Sequence, residues 1–426
     1  MLLLVIRPGI GRGHQRWIDV ALAGSLALIG LQLAPLPPVI RLALSPRVGA
    51  IEQLLWLDAP ANPHTSAPRP LSIDVSATLW ALAVVVTAIA VFWCARDIFV
   101  RGGLRRAVAG LAWLGLVLAA VAIAQHATAP RMIYWTWLAR SHTAFTPYVN
   151  KNDFAAWLIM VIPLTAGYLM TRIYASRSPS ESALHLDAVS DAKNVWLAVS
   201  VCLMSAALLT SISRAGLAGE MAASVCFLAL ARGRVGRRGL WPIVLGVMLA
   251  LAIAIAYVNM DALSTRLSET IEKGLDGGRV VIWRQTWPMV KDFWLTGVGA
   301  GAYQRGMLAY WQQPGVYYVN HAHNTFLQFA AEGGLVLSAL VAIALIAGVR
   351  QIARALRRDE GAVFWTRVGA VSGMVAIAVQ GIWDTGLIMP ANAILFALLA
   401  AIAVHESPIN AKKPSAGKTD AGPHEF

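Results

Sequence analysis

The chain has 426 residues, 58% of them hydrophobic and only 13% charged. A soluble domain has about a quarter charged residues, so the composition excludes an ordinary soluble protein and fits one dissolved in lipid, where an unpaired charge is costly to bury. The formal net charge is +13, but the basic residues sit mostly in short connections between apolar runs, which argues for membrane topology and against nucleic acid.

Ten spans are predicted, over residues 17–34, 76–95, 107–125, 154–171, 195–212, 215–231, 240–258, 325–349, 368–386 and 388–404. Several of these runs reach roughly 18 residues or more, about the length that crosses a bilayer as a helix. One such run could be a signal peptide, but a series cannot. Helix is the only sensible assignment, because lipid demands that a spanning segment satisfy its own backbone. The expected fold is therefore all-α: a polytopic transmembrane helical bundle of about 10–12 spans with one long periplasmic loop.

Orientation follows from Lys and Arg. One set of connections holds Arg7, Arg12 and Arg16; Arg96 to Arg106; Arg172, Arg177 and Lys193; Arg232 to Arg238; Arg350 to Arg367; and Lys412, Lys413 and Lys418, together 22 of the 35 basic residues. The positive-inside rule makes that set cytoplasmic, and both termini with it. The chain then divides into N-terminal spans with periplasmic loops over 1–258, a catalytic loop over 259–324, C-terminal spans over 325–404 and a disordered cytoplasmic tail over 405–426. All three cysteines (Cys94, Cys202 and Cys226) fall in apolar segments, with no disulfide or zinc spacing.

The other side receives four pieces. Residues 35–75 are rich in proline and include an apolar stretch, Ile51 to Leu57, suited to the membrane interface. Residues 126–153 carry Tyr134, Trp135 and Trp137, a candidate aromatic belt. A tight hairpin surrounds Ser213. The fourth piece is the long loop.

Three clusters in these pieces can carry chemistry. Arg214 sits between small residues at the hairpin (Ser213, Ala215, Gly216). An arginine at a helix end commonly just snorkels, but one fixed at a cavity can grip a lipid-borne phosphate bidentately. The long loop holds Gly278-Arg279, Trp283 and Arg284, and then Gly297-Val298-Gly299-Ala300-Gly301. Glycines this dense suggest a tight turn or close approach of backbone to a ligand. A nucleotide loop is a weak reading, since no strand-to-helix unit surrounds them. Last comes His321-Ala322-His323-Asn324. The two histidines are wrongly spaced for one helix face, and no Cys or carboxylate cluster completes a metal shell. General base work suits a histidine here better, since the ordinary pKa of the side chain lies close to ambient pH.

These pieces, in this order, resemble the O-antigen ligase and polymerase superfamily of bacterial membrane glycosyltransferases. The resemblance rests on Ser213-Arg214, on Gly278-Arg279 with Trp283 and Leu295-Thr296-Gly297-Val298-Gly299, and on His323-Asn324, Leu327, Glu332 and Gly334. Asn150 to Ala155 with Pro163, and Gln32 to Pro37, are also similar to the family. Leu337 departs from the family pattern, which has Gly, Thr or Tyr there.

The resemblance implies an O-antigen ligase in the bacterial inner membrane, with its active site facing the periplasm. The donor would be a glycan on undecaprenyl pyrophosphate, and the acceptor a sugar hydroxyl of lipid A-core. A polymerase or a protein O-oligosaccharyltransferase of the same superfamily is the neighbouring alternative. His323 carries over as the base, and Arg214 and Arg279 as the essential arginines. His321, Asn324, Arg284, Lys151 and Arg305 are candidate substrate contacts. Direct attack would invert the anomeric carbon. Because arginines can meet the leaving-group charge, no metal and no cofactor are expected. A transporter is the alternative from another class, but no pair of matching broken spans appears in the two halves. A structural scaffold would not need Arg214 at the hairpin tip.

Overall fold

A computed structural model describes residues 15–56, 67–138, 145, 147–175, 191–234, 278–313, 318–359 and 362–405. Among these, the principal helices are α1 (Arg16–Leu33), α2 (Pro38–Leu44), α3 (Val48–Leu55), α4 (Val75–Ile98), α5 (Leu104–Thr128), α6 (Lys151–Ala175), α7 (Ala192–Thr210), α8 (Arg214–Ala231), α9 (Arg279–Asp292), α10 (Tyr303–Tyr310), α11 (Thr325–Arg358), α12 (Ala362–Gln380) and α13 (Pro390–Ala403). Seven helical stretches are long and apolar enough to cross a membrane, and the shorter α13 is also apolar. One of the seven, Val75–Thr128, is α4 and α5 together; a π-turn at Phe99–Gly103, where Gly102 takes φ 94°, divides it.

Every predicted span inside the described residues is met by a helix. The span predicted over 240–258 and nearly all of the predicted tail lie outside them. One register differs. The span expected over 368–386 is α12, which ends at Gln380; residues 381–389 form a turn and a short 3-10 segment, Gly386–Ile388. Strand is nearly absent among the described residues, limited to a small hairpin, β1 (Met132–Ile133) with β2 (Trp137–Leu138). It holds Trp137 and Leu138 exposed.

Helix α6 is the centre of the bundle. Phe154 to Leu164 are almost wholly buried along it. Its main partner is α12, and the approach is close enough to need glycine. A Cβ on Gly369 would lie 2.3 Å from the Pro163 carbonyl oxygen, and one on Gly167 would lie 2.3 Å from that of Trp365. Small residues that let backbones approach are how apolar helices associate in lipid, where burial alone gives no advantage. Helix α8 also packs on α12, α1 on α11, and α7 on α5 and α6. The turn between α7 and α8 is as tight as expected, but the two helices then share few contacts and pack on different neighbours.

The described part of the long loop, 278–313 and 318–324, is folded. Val48, Ile51, Ile73, Met289, Phe293, Val298, Tyr303, Met307 and Ala322 form a second core. The apolar stretch of the proline-rich piece is two-sided: Ile51 of α3 is buried in that core, while Leu54 and Trp56 are exposed. A buried Arg41–Glu52 ion pair joins α2 to α3.

The dense glycines are also explained here. Gly297, Gly299 and Gly301 all have positive φ. This turn-rich segment lies against a break in α11 at Gly334, where φ is 59°. Val298 N–H donates to Ala331 O at 2.9 Å, and Gly299 N–H to Glu332 O at 3.1 Å. Gln32 also ties the segment: its Nε2 donates to Thr296 O at 2.7 Å and to Glu332 O at 2.9 Å, and its Oε1 accepts from Ala300 N–H at 3.0 Å. The close approach predicted from these glycines is to the protein's own backbone. A Cβ on Gly297 would sit 2.2 Å from the Glu332 carbonyl carbon. Gly297→Ala should therefore lower the melting temperature in detergent clearly, since positive-φ strain alone costs about 1–3 kcal/mol. Gly110→Ala in α5, where nothing lies within 4 Å, should leave it unchanged or raise it. Equal melting temperatures for the two variants would contradict this packing.

Candidate functional site

Four basic groups stand at or just before helix N-termini at one end of the bundle. Lys151 is the first residue of α6, Arg214 of α8 and Arg279 of α9, while His323 precedes α11 by two residues. A helix N-terminus presents unpaired N–H groups and the positive end of the backbone dipole, so it favours anions. The sequence builds each of these ends locally. Ser213 caps α8, its Oγ accepting from Gly216 N–H, and the Oγ–H of the same residue donates to Asn152 Oδ1 at 2.8 Å. Asn324 caps α11 by accepting from Leu327 N–H at 2.9 Å. Gly278, at φ 86°, opens α9.

Asp384 draws the group together. Its Oδ1 lies 3.6 Å from His323 Nδ1, and its Oδ2 lies 3.9 Å from Arg279 Nη2. Burial opposes the charge of this carboxylate, but the neighbouring His323, the Thr385 N–H and the Arg279 charge outweigh it and hold the pKa below the usual carboxylate value. Burial lowers the Arg279 pKa; Asp384 pulls it back up, and the like charge of Arg214 pushes it down. Arg214 thus lies within electrostatic range of Arg279. Lys151 joins from α6, its Nζ 3.5 Å from Ile212 O in the turn before Arg214. Asp153, also in the first turn of α6, is within electrostatic range of Asp384 and His323.

His323 itself is held in an unusual backbone. Its φ is 47°, in the left-handed region that costs a residue other than glycine about 1–3 kcal/mol and that recurs at functional sites. Its side chain is about one-third exposed, at 35%, against 4% for Asp384. One edge of the ring therefore meets the carboxylate while the ring stays reachable. With Nδ1 turned to Asp384, Nε2 is the nitrogen left to meet a substrate. Arg279 and His323 are also tied mechanically. Trp283, one turn along α9 from Arg279, donates Nε1–H to Ala322 O at 2.9 Å.

The other sequence candidates fall in different places. His321 is partly buried, with no hydrogen-bond partner for its Nδ1 among the described residues; burial and then the neighbouring His323 lower its pKa. Arg284 is exposed on the outer face of α9, away from buried Thr286 and Met289. Arg305 lies 3.6 Å from Asp74 and stacks 4.7 Å over Trp56, so that interaction places it with the proline-rich piece. Among the described residues, no group of three or more His, Cys, Asp and Glu is arranged to hold a metal ion.

Asp384 and Asp153 were missed by the sequence reading. The available signal was an acid inside one apolar span and another at the very start of a second, which marks a functional candidate by default.

Fold and composition together define a multi-pass helical membrane protein with a cationic, histidine-bearing cluster at one end of its bundle. Residues 199–342 match a family model described as O-antigen ligase, in agreement with the superfamily resemblance read from the motifs. The matched segment contains Arg214, Arg279 and His323 and stops short of Asp384. No curated protein matches the chain.

Proposed function

We propose that this chain is an O-antigen ligase, moving a glycan from undecaprenyl pyrophosphate to a sugar hydroxyl of lipid A-core. The observation that carries the reading is the His323–Asp384–Arg279 cluster, with Arg214 beside it. The acceptor oxygen attacks the anomeric carbon and forms the new C–O bond. The C–O bond to pyrophosphate breaks, and its electron pair leaves with the pyrophosphate. Arg279, Arg214 and the helix N-termini around them meet that growing negative charge. His323 Nε2 takes the acceptor's proton, and Asp384 steadies the resulting imidazolium at Nδ1, as a buried carboxylate does for a histidine base. Attack opposite the leaving group inverts the anomeric configuration. His321, Asn324 and Lys151 serve as substrate contacts, Lys151 with the best placement for a phosphate, while Arg284 and Arg305 stand apart from the cluster.

The same reading puts the protein in the bacterial inner membrane with the cluster on the periplasmic side and both termini in the cytoplasm. Support comes from the bias of Lys and Arg toward the connections at the other end of the spans. The proposed regions are the N-terminal spans over 1–258, the catalytic loop over 259–324 and the C-terminal spans over 325–404.

Deleting the gene tests the assignment. A ligase deletion leaves lipid A-core without long glycan while carrier-linked polymer accumulates. Loss of the polymer itself would identify a polymerase, and loss of glycan from proteins alone a protein O-oligosaccharyltransferase. Because arginines meet the leaving-group charge, transfer by purified protein should be undiminished in EDTA. Complete loss, restored by a divalent ion, would contradict that part of the mechanism.

A further inference from the structure

Resting on the transfer reading above, we propose that Gln328 and Glu332 are positioning residues whose side chains form a relay from the glycine-rich segment at 297–301 to the backbone of the catalytic turn, fixing where His323 stands. The relay is continuous. Gly301 N–H donates to Glu332 Oε2 at 2.9 Å. Gln328 Nε2 donates to Glu332 Oε1 at 2.9 Å. Ala322 N–H donates to Gln328 Oε1 at 3.0 Å. The Glu332 carboxylate also takes the Tyr303 backbone N–H.

Three features make this more than helix packing. Ala322, the residue before His323, is fully buried and held from both sides, by Gln328 at its N–H and by Trp283 at its carbonyl. It lies outside α11, so the helix ladder does not hold it. The turn it anchors carries His323 at positive φ, a conformation that lasts only where its surroundings over-determine it. Gln328 and Glu332 are themselves buried at 2% and 8% exposure, and their side chains are turned to each other and to the Ala322 and Gly301 backbone. Both backbone donors point inward, Ala322 N–H to Gln328 and Gly301 N–H to Glu332, so the pair between them needs one amide and one carboxylate, and their order sets the polarity of the bond that joins them.

That polarity gives the test. Gln328→Glu sets two carboxylates against each other. Glu332→Gln leaves an amide that cannot serve both Gly301 N–H and Gln328 Nε2–H. The double exchange restores the pattern: the new carboxylate at position 328 accepts from Ala322 N–H and from the new amide at position 332, whose oxygen accepts from Gly301 N–H. Purified full-length variants would be compared by transfer kinetics and by hydrogen exchange at the Ala322 amide. Each single variant should lower kcat about tenfold or more with little change in donor KM, as misplacing a catalytic group does. Each should also speed Ala322 exchange, and the double exchange should recover both quantities. Unaltered exchange and kcat in the singles, or a double exchange no better than the singles, would overturn the relay. A wild-type protein that transfers nothing would sink the function instead, and Ala322 exchange would still judge the relay by itself.

Discussion

Replacing His323 with asparagine should abolish transfer and leave the fold intact. Losing a general base costs about 10²–10⁴-fold in rate, and here the same residue also carries the link to Asp384. Asparagine is the cleaner substitution because it tolerates the left-handed region better than most residues, so the turn at φ 47° survives without a basic nitrogen. His323→Ala should match it in rate and fall below it in thermal stability. The measurement is product formation by purified protein, with the melting temperature alongside. Transfer by His323→Asn at the wild-type rate would remove the histidine from the mechanism.

Arg279→Ala is the second large effect. A preorganised donor aimed at developing charge is worth about 10²–10³-fold in kcat. Arg279 has a particular claim to that role: burial and Arg214 both disfavour its charge, and Asp384 offsets only part of the cost. A cation held under that tension gains most when a second anion arrives, which is the event that pyrophosphate departure supplies. Arg279→Lys should recover part of the rate, since a point charge remains while the planar fork is lost. Rates would be compared at saturating donor, so that weakened binding does not enter. A small kcat effect with a large rise in donor KM would move Arg279 from the transition state to ground-state binding.

The spans were legible because lipid leaves a chain few choices: a long apolar run must become a helix. Arg214, Arg279 and His323 were legible because each breaks an apolar pattern or sits in a polar loop. Asp384 was not, since the pattern of α12 was read through to residue 386, and only the structure ends that helix at Gln380. The glycines after Thr296 announced a close approach without naming the partner, which is the broken helix at Gly334 and the Gln32 side chain. Gln32 shows the limit clearly. It is separated from Thr296 by 264 residues, and nothing local in its surroundings states that it holds the loop. The same holds for Ile51, where apolarity alone does not separate a lipid-facing helix from one under a folded loop.

The long loop and its distant partners make one claim: His323, Arg279, Arg214 and Asp384 act on a single glycan transfer. Reconstituting purified protein with polyprenyl-pyrophosphate-linked glycan and lipid A-core tests it most directly. The expected result is glycan-bearing lipid A-core, with one polyprenyl pyrophosphate released for each transfer. Donor that crosses the membrane with its glycan still attached, and acceptor that stays unmodified, would contradict it.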